Sequence, residues 1–206
     1  MLIVTFALAV LAFSLGACPF SLWLGRWVLQ RDIRQYGDGN PGATNVFRAG
    51  GRFVGGLAVV LDMAKGAPFV VLAHRVYGLP EQSVLLIGMC AILGSAFTPF
   101  LGFRGGKSLA VSGGVLLAVP DHDIFLVAIL LMTVGFLFLD RAAWIVMFSA
   151  AGTLTYLVAI ARSLAQVWFM AGLLLLLAWR HRGDLHHGPG IINRPARWLR
   201  AVHGDA

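Results

Sequence analysis

The sequence predicts an all-α integral membrane protein of about seven transmembrane helices, and three observations carry that expectation. Charged residues make up only 12% of the 206-residue chain, about half the share usual in a soluble domain. Hydrophobic residues make up 59% and gather into long blocks, as required of segments that must satisfy their own backbone inside lipid. Basic residues collect in alternate joints between the blocks, which sets an orientation.

The apolar blocks cover residues 2–24, 53–73, 83–101, 109–119, 124–139, 142–161 and 164–179. A perpendicular crossing needs about 20 residues. The first block contains Leu15-Gly16-Ala17-Cys18, which loosely resembles a lipoprotein processing box. No Lys or Arg precedes it, whereas signal peptides open on positive charge, so a retained helix is expected. The fourth block is short and carries Ser112-Gly113-Gly114; it is either a thin, tilted crossing or a re-entrant turn.

Charge decides between these. With seven crossings, one side receives Arg26, Arg31, Arg34, Arg48, Arg52, Arg104, Lys107, Arg141, Arg180, Arg182, Arg194, Arg197 and Arg200, and the other only Arg75 and Arg162. Positive charge stays on the cytoplasmic side, which puts the N-terminus outside and the C-terminus inside. A re-entrant fourth block would send the basic tail outside. Residues 1–180 are expected to form a single bundle and 181–206 a basic cytoplasmic tail. Cys18 and Cys90 both lie in apolar blocks, which suggests neither a disulfide framework nor a metal site.

Every polar segment with chemical promise then falls on one face. The 31–51 loop interleaves Gly37, Gly39, Gly42, Gly50 and Gly51 with Asn40, Thr44 and Asn45. Glycines let backbone amides approach an anion, and Asn and Thr add donors. Arg34 and Arg48 flank them with planar forks suited to phosphate. Turn formation and topology signals are the plainer explanation of the same residues. A second segment, Gly105-Gly106-Lys107-Ser108, stops short of a nucleotide P-loop, which needs glycine where Leu101 stands. It leads into an apolar block and is suited to aiming amides and a lysine at an anion.

Inside the second block, Asp62 and Lys65 are three residues apart and share a helix face. Charges at that depth face a bundle interior, so they serve either substrate or a structural pair. The tail segment His181-Arg182-Gly183-Asp184-Leu185-His186-His187 holds three histidines without the spacing of a metal site. Gly-x-Ser-x-Gly and His-Glu-x-x-His are absent, as is a histidine followed by aspartate with four residues between.

Taken together, Asp32-Ile33-Arg34, Gly39-Asn40, Gly42-Ala43-Thr44-Asn45 and Arg48 resemble the first motif of the bacterial acyl-phosphate glycerol-3-phosphate acyltransferases, the PlsY family. Asp62, Lys65-Gly66 and Pro68 are similar to the next stretch, and Pro99 to Phe103 with Gly105-Gly106-Lys107 to the second motif. His181-Arg182 stands where the third begins. The resemblance implies a seven-helix bundle in the bacterial cytoplasmic (inner) membrane. It further implies transfer of an acyl group from acyl phosphate to glycerol 3-phosphate, giving 1-acyl-glycerol 3-phosphate and phosphate for phospholipid synthesis. No metal or other cofactor is implied, and the partners are the two substrates and membrane lipids, not nucleic acid.

On that resemblance Arg48, Lys107, His181 and Asp38 are the catalytic candidates. Arg34, Gly39, Asn40, Thr44, Asn45, Gly105, Gly106, Ser108, Asp62 and Lys65 are the substrate-binding candidates. The pattern departs from the family at Asp38, where a serine is usual, and at Ser95, Ser108, Trp144 and Asp184. These departures open an alternative: a divergent, weakly active or inactive relative that binds phosphate-bearing lipids or uses another acceptor. A transporter of anions fits the basic face but lacks internal repeats.

Overall fold

The computed structural model describes residues 1–192 and Arg194; the expected tail residues Arg197 and Arg200 lie outside them. The described residues are helical, and their one extended pairing is an isolated antiparallel bridge between Leu139 and Ile191. The described residues fall into two compact units, one of residues 1–122 and one that begins at Asp123.

In the first unit the expected opening span is two helices, α1 (Leu2–Ala17) and α2 (Phe20–Trp27). Pro19 has no N–H to donate, so the helix cannot run through it. The break strands carbonyls inside the bundle. Thr98 donates its hydroxyl to the Ala17 carbonyl at 2.6 Å, and Lys65 donates Nζ to the Cys18 carbonyl at 2.8 Å. Next come a short α3 (Ala43–Arg48), α4 (Arg52–Ala64) and α5 (Pro68–Val71), which runs into a π-helical turn, Leu72–Val76. The unit closes with α6 (Glu81–Ala96) and α7 (Leu109–Ala118).

Small residues set how closely these helices approach, as is common where lipid removes the hydrophobic drive to associate. A Cβ at Gly16 of α1 would run into the Ala91 carbonyl of α6, and one at Gly94 into the Phe13 carbonyl. Gly114 of α7 lies equally tight on Met63 of α4. A cluster of Leu22, Ile33, Val46, Ala49 and Ala58 packs α2, α3, α4 and the 31–51 loop together. That cluster is the floor on which the polar loop sits.

The second unit contains α8 (His122–Phe138), α9 (Ala142–Ala159), α10 (Leu164–Arg180) and α11 (Arg182–Leu185). Exposed Leu126, Leu130, Leu164, Trp168 and Leu175 give it an apolar exterior, as lipid contact requires. The tail does not simply leave the bundle. Asp140 N–H donates to the Gly190 carbonyl and Ile192 N–H to the Phe138 carbonyl, both at 2.9 Å. Trp144 donates its indole N–H to the His187 carbonyl at 2.7 Å, and Arg194 reaches the Phe136 and Leu139 carbonyls.

Among the described residues four helical stretches are long and apolar enough to cross a membrane: Leu2–Trp27, Arg52–Val76, Glu81–Leu101 and Ala142–Ala159. Leu109–Ala118, His122–Phe138 and Leu164–Arg180 are shorter apolar helices. At 1.5 Å per residue, α7 is about 15 Å long, roughly half the hydrocarbon thickness.

Candidate active site

The 31–51 loop is organised by its own charges. Asp32 accepts from the Arg34 N–H at 3.1 Å, which caps a 3-10 turn at Ile33–Gln35. Its carboxylate also takes Arg34 Nε at 2.9 Å, Arg34 Nη2 at 2.6 Å and Arg26 Nη2 at 3.2 Å. The Arg34 hydrogen bond, more than Arg26, holds the Asp32 carboxyl far below its usual range, and the same contact raises the Arg34 guanidinium. Arg34, expected as a phosphate fork, therefore spends two of its nitrogens on Asp32. Buried Ile33 beneath it ties this turn to the core.

Beyond the turn the backbone swings through two left-handed glycines, Gly37 at φ +59° and Gly39 at φ +72°. They present the side chain between them to a ring of donors. Asp38 Oδ1 accepts from Asn45 Nδ2 at 3.0 Å and from the Asn40 N–H at 3.2 Å, and Oδ2 faces Lys107 Nζ at 2.8 Å. Burial pushes the Asp38 carboxyl up. Lys107, the Asn40 amide and Asn45 outweigh that and leave it below its ordinary value. A carboxylate so heavily solvated by donors is a weak general base.

Asn45 is the hub of this cluster. It is buried, donates to the Asn40 carbonyl at 2.8 Å as well as to Asp38, and accepts from Arg48 Nη1 at 3.2 Å. Gly37 is needed there because a Cβ would collide with the Arg48 guanidinium and Asn45 Oδ1. Arg48 is exposed and gives Asn45 one of its five N–H donors. Thr44 lies exposed on the first turn of α3.

The 105–108 segment meets this cluster but not as expected. The Gly106 and Gly105 amides donate to the Ser95 and Ala96 carbonyls at 3.2 and 3.1 Å, closing the end of α6. They are structural caps, not amides turned to an anion. A Cβ on Gly105 would strike the Ser95 carbonyl, and one on Gly106 would stand 3.6 Å from Asn40 Oδ1. What this segment delivers is Lys107. Ser108 follows at φ +58° as the cap of α7, and its buried hydroxyl has no hydrogen-bond partner.

The remaining candidates are Asp62 and Lys65 in the first unit and His181 in the second. Asp62 and Lys65 pair at 2.9 Å in the bundle interior, where Ser21 donates its hydroxyl to Asp62 and Lys65 props the Cys18 carbonyl. Asp62 Oδ1 has no aligned donor; the Lys65 charge alone holds it. His181 belongs to the second unit, is buried at the end of α10, and stands 2.9 Å through Nδ1 from the Leu177 carbonyl. A carbonyl only accepts, so Nδ1 carries the proton. Among the described residues no group of His, Cys, Asp and Glu has the makings of a metal site.

Asp38, Asn40, Asn45, Arg48 and Lys107 form one polar cluster in a helical unit that is otherwise largely apolar. The glycerol-3-phosphate acyltransferase family model matches residues 6–187. The chain belongs to that family. Glycerol-3-phosphate acyltransferases of Levilactobacillus brevis and Pseudomonas paraeruginosa are each 35% identical to it over 188 residues. These matches cover 86% of this chain and 86% and 92% of theirs. That of Listeria welshimeri is 34% identical over 188 residues, with 86% and 89% covered.

The fold agrees. The crystal structure of PlsY (YgiH), an integral membrane glycerol 3-phosphate acyltransferase, in its glycerol 3-phosphate form matches with a TM-score of 0.81. It is 27% identical and covers 88% of this chain and 90% of its own. The lysophosphatidic acid form matches at 0.79 with 26% identity and the same coverage. The bundle is thus a multi-pass membrane protein of the acyltransferase family. Three contributors escaped sequence reasoning: Asp32 as the anchor of Arg34, Ser21 as the partner of Asp62, and Gly37 as the space for Arg48. The Gly37 signal was present, since a glycine between Tyr36 and Asp38 marks a left-handed turn.

Proposed function

We propose that this family member transfers an acyl group from an acyl phosphate to glycerol 3-phosphate at the cytoplasmic face of the bacterial inner membrane. The product is 1-acyl-glycerol 3-phosphate, which enters phospholipid synthesis, and inorganic phosphate leaves. The observation that carries this reading is the convergence of two separate loops. The 31–51 loop supplies Arg48, Asn40 and Asn45, the 105–108 segment supplies Lys107, and Lys107 reaches across to Asp38 at 2.8 Å. Both substrates bear phosphate, and a lysine, a planar guanidinium and amide donors in one half-exposed cluster are suited to it.

In the reaction, the acceptor hydroxyl oxygen attacks the acyl carbonyl carbon. A new ester C–O bond forms, the acyl C–O bond to phosphate breaks, and the hydroxyl proton leaves with the departing phosphate. Phosphate is a good leaving group, so positioning and charge outweigh proton transfer. Arg48 and Lys107 neutralise phosphate and developing oxyanion charge, which typically supplies a few kcal/mol per donor. Thr44 lies on the first turn of α3 beside the cluster's Asn45, Gly39 and Gly42 shape the loop, and Gly105, Gly106 and Ser108 set the reach of Lys107. Asp62 and Lys65 hold the helices, and His181 holds the end of α10.

Seven crossings, an external N-terminus and a cytoplasmic tail complete the reading. They are supported by the charge asymmetry between alternate loops and by three shorter apolar helices beside four long ones. Residues 1–180 form the catalytic body and 181–206 the basic tail. The test uses purified protein with palmitoyl phosphate and glycerol 3-phosphate, following phosphate release and lysophosphatidate together. Equal amounts of both products, reduced at least about 100-fold in Arg48→Ala, are expected. Phosphate without lysophosphatidate would show a different acceptor or water.

A further inference from the structure

The donors that a phosphate needs in this site are already engaged by a carboxylate of the chain itself. Asp38 takes the ammonium of Lys107 at 2.8 Å, the side-chain amide of Asn45 at 3.0 Å and the backbone amide of Asn40 at 3.2 Å. Those are a cation, a neutral N–H and a main-chain N–H, the same three kinds of donor that a phosphate oxygen set would collect. Both carboxylate oxygens are used. The pair is not sealed off, since 25% of the Lys107 side chain and 36% of the Asp38 side chain remain exposed. A ligand arriving from the loop side therefore meets Lys107 already paired.

We propose that Asp38 is a resident competitor for phosphate, so that phosphate-bearing ligands bind by taking Lys107 and Asn45 from its carboxylate. On this account Asp38 sets how tightly the site holds phosphate. The inference rests on the proposed acyl-transfer site and assigns to one of its residues a role in release. Both products of the transfer, inorganic phosphate and the lysophospholipid, carry phosphate and must leave. A carboxylate that reclaims the lysine shortens their stay without any moving lid. Gly37 and Gly39 on either side give the 38 side chain the backbone freedom to yield.

The competing explanation is that Asp38 simply staples the two loops, as Asp62 staples helices. The two differ in sign. Cutting a staple loosens the site and weakens anion binding; removing a competitor tightens it. A general gain from one fewer negative charge is separated by repeating the substitution without Lys107.

The experiment measures binding of inorganic phosphate to the purified full chain in detergent by calorimetry, with a melting midpoint for each sample. Asp38→Asn and Asp38→Ser are expected to bind phosphate about fivefold tighter, the upper range for a partly exposed ion pair. In a Lys107→Gln background, where only Asn45 and the Asn40 amide are left to release, Asp38→Asn is expected to give a clearly smaller gain. Unchanged or weaker binding in the folded variants overturns the proposal, as does an equal gain in the Lys107→Gln background. Failure of both variants to fold also overturns it, because it marks Asp38 as structural. The readout does not depend on turnover. If affinities move as stated but no lysophosphatidate forms, the acyl-transfer reading fails and the competitor survives; the reverse result sinks only the competitor.

Discussion

Two aspartate–lysine pairs of almost equal length stand in opposite surroundings in this molecule. Asp62 and Lys65 meet at 2.9 Å with side chains 11% and 4% exposed, one turn apart on a single helix. Asp38 and Lys107 meet at 2.8 Å with 36% and 25% exposed, from loops nearly seventy residues apart. Distance does not distinguish the two pairs; access and company do, and on the proposed reading these mark the outer pair for chemistry and the inner one for the fold. The inner pair is surrounded by Ser21 and the Cys18 carbonyl, groups whose own needs it satisfies. The outer pair is joined by Asn40 and Asn45, which donate to Asp38, and by Arg48 on Asn45.

The largest effect expected from this contrast lies at the inner pair. Lys65→Met leaves the Cys18 carbonyl without that donor and the buried Asp62 carboxylate with Ser21 but no countercharge from Lys65. Breaking a buried pair from one side typically costs about 3–5 kcal/mol. A marked fall in the melting midpoint of the detergent-solubilised protein is expected, with activity lost in proportion to unfolding. A folded, heat-stable Lys65→Met protein lacking only activity would instead place this pair in the site.

A smaller effect sharpens the contrast at the rim. Asp32, clasped by Arg34, has its carboxyl held below the ordinary 3.8. A depressed folded value means the clasp contributes stability above the unfolded value and loses it as pH falls toward the folded one. The melting midpoint is therefore expected to drop by roughly 2 °C between pH 5 and pH 3, and Asp32→Asn to flatten that drop. An undiminished slope in Asp32→Asn would assign the acid sensitivity to other carboxylates.

Much of this architecture is legible in the sequence because hydrophobic length and arginine placement are local signals. The apolar blocks, the polar 31–51 loop and the three-residue spacing of Asp62 and Lys65 all reappear as helices, a loop cluster and an ion pair. What stays hidden depends on partners distant in the chain. Pro19 stands inside a block read as one span, and nothing nearby says that the helix breaks there or that Thr98 and Lys65 will satisfy the carbonyls it strands. Gly105 and Gly106 look like anion-binding amides until the end of α6 claims both. Asp38 looks like a misplaced charge beside a phosphate site until its side chain is seen to lie on Lys107. The tail likewise reads as solvated, because backbone pairing of 190–192 with 138–140 leaves no mark on composition.

The central claim is that the exposed pair serves chemistry while the buried pair serves the fold. Lys107→Gln tests it most directly, with kcat/KM for glycerol 3-phosphate and the melting midpoint measured on the same purified sample. The account predicts a fall in kcat/KM of at least about 100-fold, the loss typical of one charge-stabilising donor, with the midpoint unchanged within about 2 °C. Retained activity, or activity lost only through a collapsed midpoint, would contradict it.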